Sequence, residues 1–80
     1  MSNANEMFEK LGYTIKVDNE KLAVYVKKGK TIEIGCADIG YPVVFSYKLN
    51  KTQSILYARG ILMEELKAIN EKVKELGWEI

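Results

Sequence analysis

Residues 13–36 read YTIKVDNEKLAVYVKKGKTIEIGC, and the fold turns on this stretch. Tyr13, Ile15 and Val17 alternate with Thr14, Lys16 and Asp18. A period of two marks a strand with one face on a core. Asp18-Asn19-Glu20-Lys21 supplies a turn, and Leu22, Val24 and Val26 then alternate with Ala23, Tyr25 and Lys27. Lys28-Gly29 is a tight hairpin turn in which the glycine takes positive φ. Ile32, Ile34 and Cys36 alternate with Thr31, Glu33 and Gly35 as a third strand. Strands joined by turns this short pair antiparallel, because parallel neighbours need a long crossover. The phase of the second strand predicts Leu22, Val24 and Val26 inward and Tyr25 outward, beside Ala23 and Lys27.

Beyond Cys36, residues 37–42 form a looser link with Gly40 and the only proline. Val43 to Lys48 is β-branched and aromatic, a fourth strand that turns either Phe45 and Tyr47 or Val44 outward. Leu49 to Thr52 reads as a turn, and Ser54 to Arg59 as a fifth strand apolar on both faces, with Gly60 breaking it. On the other side, Ala4, Met7, Phe8 and Leu11 form one helical stripe, capped by Asn3 and stopped by Gly12. From Leu62 the period is helical again. Leu62, Leu66, Ile69, Val73 and Leu76 form a long stripe, Met63 widens it, and Ala68 lies toward one flank. Gly77 ends this helix and places Trp78 for an apolar contact with Val73. The reading is α+β: a short N-terminal helix, a four- or five-stranded antiparallel meander, and a long C-terminal helix packed on one sheet face.

Eighty residues suffice for a single domain spanning 1–80. The apolar share of 48% and charged share of 29% are those of a globular chain. Histidine is absent and cysteine occurs once, which excludes a histidine base, a histidine-bound zinc and an internal disulfide. A lone cysteine and the lack of an apolar leader point to a cytoplasmic protein. No run approaches the roughly 18 apolar residues of a membrane span. A core this small is near the limit of self-sufficiency, so self-association through an edge strand is one expectation.

The segments EMFEKLGY (Glu6 to Tyr13) and MEELKAINEKVKELGW (Met63 to Trp78) carry a resemblance. They are similar to the two ends of small phage and prophage proteins of Gram-positive bacteria, proteins of uncharacterised activity. Those proteins commonly place a threonine cap where this chain has Leu62. The resemblance covers about a third of the chain and implies a phage-derived accessory protein acting in a bacterial host. It brings no catalytic residues with it.

The residues offer little catalytic chemistry. Cys36 reads as a small core residue, Glu64 and Glu65 as complements to a helix dipole, and Asp38 as a turn residue. No phosphate loop, metal-ligand spacing or nucleophile elbow is present, so neither a cofactor nor an enzyme is expected. The surface is more informative. Residues 13–60 carry eight basic and four acidic side chains, whereas 61–80 carry three and five. Tyr25, Lys27, Lys28, Tyr47, Tyr57 and Arg59 are the candidate partner surface. Tyrosine and arginine are enriched at protein interfaces, which predicts a host protein as partner, for example a defence or replication component that the chain would inhibit. The alternative is single-stranded nucleic acid, with bases stacked on tyrosines and phosphates held by lysines. Tyrosines bordering a small core and lysines protecting edge strands would account for the same residues without any partner.

Overall fold

A two-residue turn fixes the register of a hairpin, and Lys28-Gly29 does so by placing Lys27 opposite Lys30. It follows that Tyr25 stands opposite Ile32 and Ala23 opposite Ile34. Residues opposite one another in an antiparallel pair share a face. Tyr25 therefore lies on the same side as the two isoleucines, and all of these side chains are fully buried. This corrects the predicted phase of the second strand: Leu22, Val24 and Val26 are on the other face, opposite Gly35, Glu33 and Thr31. The strand is apolar on both faces, so its own pattern could not choose.

The computed structural model describes residues 2–36 and 42–78, apart from the side chains of Cys36 and Pro42. The expectations for the Cys36 side chain, Asp38 and Gly40 lie outside the described residues. The order is α1 (Asn3–Lys10), β1 (Thr14–Asp18), β2 (Leu22–Lys27), β3 (Lys30–Cys36), β4 (Pro42–Asn50), β5 (Ile55–Ala58) and α2 (Met63–Glu75). The five strands form one antiparallel sheet in chain order, an α+β meander with both helices on one face.

The last hairpin differs from the expected one. Leu49 pairs with Leu56 and Asn50 with Ile55, so the turn falls two residues later, at 51–54. Asn50 starts it by accepting the Gln53 N–H at 3.1 Å, and Ser54 takes φ 54°. An Asx turn of this kind lets the asparagine serve as the last strand residue.

Both helices end alike. In Leu11-Gly12-Tyr13, Gly12 donates to Glu9 and Tyr13 to Phe8, each at 3.0 Å. In Leu76-Gly77-Trp78, Gly77 donates to Lys74 at 3.1 Å and Trp78 to Val73 at 3.0 Å. These paired bonds close a helix only if the glycine is left-handed, and φ is 93° at Gly12 and 71° at Gly77. The following aromatic is thereby turned back onto the core, Tyr13 edge-on to Phe8 at 5.5 Å and Trp78 against its border.

The N-termini depart from expectation. Ser2, not Asn3, caps α1, accepting the Asn5 N–H at 3.1 Å. Leu62 caps α2 without an acceptor of its own, and Glu65 instead reaches back to the Leu62 N–H at 2.9 Å. The buried side of α2 is Glu65, Ala68, Ile69 and Lys72, whereas Leu62, Met63 and Leu66 are exposed. The predicted stripe thus holds in its C-terminal half only. Ala68 and Ile69 sit in the core cluster, and the bonds of Glu65 to Lys30 and of Lys72 to Asp18 tie this side of the helix to the sheet.

Candidate functional site

The helix-covered face consumes most of its own polar groups. Glu65 is 1% exposed. Its carboxylate accepts from Lys30, from the Tyr13 hydroxyl at 2.5 Å and from the Leu62 N–H, with Lys27 at 3.9 Å. Burial alone would raise this carboxyl. The bonds from Lys30, Tyr13 and Leu62 outweigh it and hold the group below the usual range. Lys27 also lies over the Tyr13 ring at 4.6 Å. Toward the other end of α2, Lys72 donates to Asp18 at 2.6 Å, and Asn5 donates to the other Asp18 oxygen at 2.8 Å. These two bonds lower the Asp18 carboxyl. The Tyr25 hydroxyl donates to Asn5 at 2.5 Å, its ring stacks on Phe8 at 3.7 Å, and burial pushes its hydroxyl pKa up.

This arrangement removes Tyr25, which has no exposure, from the expected partner surface. Lys27 keeps part of its side chain exposed and lines an open cavity near the β2–β3 turn, while its amine is turned toward Glu65 and the Tyr13 ring. The other four do not form one patch. Lys28 sits exposed in the hairpin turn and Arg59 is exposed just beyond β5. Tyr47 is on the open face, and Tyr57, opposite Lys48, shares the phase of the helix side. Glu65 is a packing hub rather than a mere dipole complement. Its spacing of three from the capping position was the available signal.

The opposite face of the sheet carries nothing among the described residues. Val24 and Val26 on β2, Thr31 on β3, and Tyr47 and Leu49 on β4 floor an open cavity of about 400 Å³ near the β2–β3 turn. Lys16, Lys27, Lys30, Lys48 and Lys51 also line it. Phe45 and Leu56 continue the same face and are 57% and 61% exposed. Glu33 accepts the Tyr47 hydroxyl at 2.6 Å. That bond, helped by burial, pushes the Tyr47 hydroxyl up to about 12. The face is thus apolar, with its one carboxylate already occupied and lysines at the cavity. Of the two phases open to the fourth strand, Phe45 and Tyr47 take the open face, and Val44 and Ser46 face the helices. Leu49 and Leu56 are exposed on this face, Val26 is half-buried and Val24 is buried although it points the same way, and the hairpin register was the signal that could have placed the two valines there.

Among the described residues no group of three or more His, Cys, Asp or Glu side chains could hold a metal ion, and no helix is long and apolar enough to cross a membrane. No family model, curated protein or solved structure matches the chain significantly.

Proposed function

We propose that the protein is a non-catalytic binding module that docks a partner protein on the uncovered face of its sheet. The supporting observation is the contrast between the apolar residues of that face and the lack of any described element over them. Monomeric proteins rarely expose a contiguous apolar sheet face of this kind without a use for it. Lysines 16, 48 and 51 around the cavity favour a partner whose contact surface is apolar at its centre and acidic at its rim. The likeness of the Glu6–Tyr13 and Met63–Trp78 segments to phage and prophage proteins supports a cytoplasmic host protein as target. A rigid chain of this size can inhibit such a target by covering a working surface.

The nucleic-acid reading has less support. Its stacking platform loses Tyr25 to the core, and Lys27 and Lys30 are paired with Glu65. The test compares the wild-type chain with Leu49→Glu, a change at a residue 45% exposed. Immobilised wild type should retain a protein from a Gram-positive lysate that the variant does not retain. Capture indifferent to Leu49→Glu would overturn the site. Oligonucleotide binding that weakens steeply with added salt would favour the alternative.

A further inference from the structure

The two edges of the sheet are treated differently. β1 is interrupted by a bulge between Ile15 and Val17, and carries Lys16 within it and Asp18 at its end. Bulges and charges are the usual protection of an edge strand against pairing with another chain. β5 has neither. It reads Ile55-Leu56-Tyr57-Ala58, pairs with β4 without a register shift, and is exposed throughout. Arg59 donates its N–H to Ser46 at 2.8 Å. Because outward and inward N–H groups alternate along an antiparallel strand, Leu56 and Ala58 direct theirs away from β4.

We propose that β5 pairs with β5 of a second copy, making one continuous ten-stranded sheet across a two-fold axis. The register follows from the backbone. Outward-facing residues must oppose outward-facing residues, so the axis passes through a residue rather than between two, and Leu56 and Tyr57 are the two at the centre of the strand. Ser54 is left-handed and outside the strand, so an axis at Leu56 leaves only that residue's reciprocal pair. An axis at Tyr57 lets Leu56 exchange bonds with Ala58 of the partner subunit, twice by symmetry. Tyr57 then faces Tyr57 of the partner subunit, and Ile55 faces Arg59 of the partner subunit, so no like charges meet.

Flanking surface supports the same occupant. α1 lies along the side of α2 that carries Glu75, which accepts the Ala4 N–H at 2.8 Å. By helical periodicity Leu62 and Leu66 lie on the opposite flank, toward β5. Together with Ile61 and the three large β5 residues they are between 39% and 61% exposed. At about 200 Å² for a large residue, they offer roughly 600 Å² per copy, and two copies exceed the ~1,000 Å² expected of a biological interface. Leu56 is shared with the open face, but Phe45, Tyr47 and Leu49 stay free, so the pairing is tested apart from the proposed docking site.

Sedimentation equilibrium of the full chain, read over a concentration series, tests the pairing. Wild type should approach twice 9.1 kDa. Tyr57→Lys and Tyr57→Glu should each weaken the dimer at least about tenfold, because like charges then face each other across the axis. Both should melt as the wild-type monomer does, since Tyr57 is 43% exposed. Mixing the two variants should restore association. A wild type that stays monomeric at high concentration, or a dimer unmoved by Tyr57→Lys, overturns the proposal. So does a dimer broken by Phe45→Lys rather than Tyr57→Lys, which would place the contact on the open face.

Discussion

On the helix side of the sheet, Tyr25 and Ile32 lie opposite one another and are sealed. One residue along, Glu33 and Phe45 lie opposite one another on the side that no described element covers. The covered side is the more polar of the two. It carries Tyr25, Lys27, Lys30 and Ser46, whereas the open side is largely aliphatic and aromatic. Hydrophobicity therefore does not decide which side the helices take. What decides is where polar atoms find partners. Glu65 answers Lys30, Lys27 and Tyr13, and Asn5 answers Tyr25. A sheet side with few polar atoms needs no such answers.

The contrast can be broken most severely at Tyr25. Tyr25→Ala should cost about 3–5 kcal/mol, the usual range for a buried aromatic, and chemical denaturation should show a nearly unfolded chain. Next in size is Glu65→Gln, which leaves the buried amine of Lys30 without its counter-charge and should cost about 3 kcal/mol. The same residue sets an acid limit. Glu65 and Asp18 are both held below the ordinary carboxylate range, so the stability they contribute is present above that range. As pH falls below about 4, the unfolded chain takes up protons first and the stability is lost. Melting temperature against pH should fall there, and fall less in Glu65→Gln. In the opposite direction, the buried Ser46 hydroxyl has no partner among the described residues, and Ser46→Ala should stabilise by about 1 kcal/mol. Smallest of all, Phe45→Ser on the open side should change stability by less than about 0.5 kcal/mol while weakening partner capture. A large loss of stability at Phe45 would mean that the two sides are not different in kind.

Much of the architecture was legible in residues 13–36, because alternation and short turns leave few topologies. Both helix stops were legible too, since Gly12 and Gly77 stand where a left-handed residue is needed. The side taken by β2 was not read correctly, although Lys28-Gly29 and the isoleucines of β3 together imply it. Alternation within one strand cannot orient a strand that is apolar twice over. The rotation of α2 escaped for a different reason. Hydrophobic periodicity gives weight to Leu62 and Leu66 and none to Glu65 or Lys72, yet the polar pair is buried and the leucines are exposed. The candidate surface fails at the same point: tyrosine reads as an outward residue, yet Tyr25 is built into the interior, and Lys27 turns its amine to Glu65 while its side chain stays part-exposed at the cavity.

The bond from Ala4 to Glu75 has a consequence for protein engineering. It brings positions 71 apart in sequence into contact, and with the Lys30–Glu65 and Lys72–Asp18 bonds it ties the segment before the exposed 51–54 turn to the segment after it. A chain cut within that turn should therefore reassemble from its two pieces, with the sheet order and the Glu65 hub preserved.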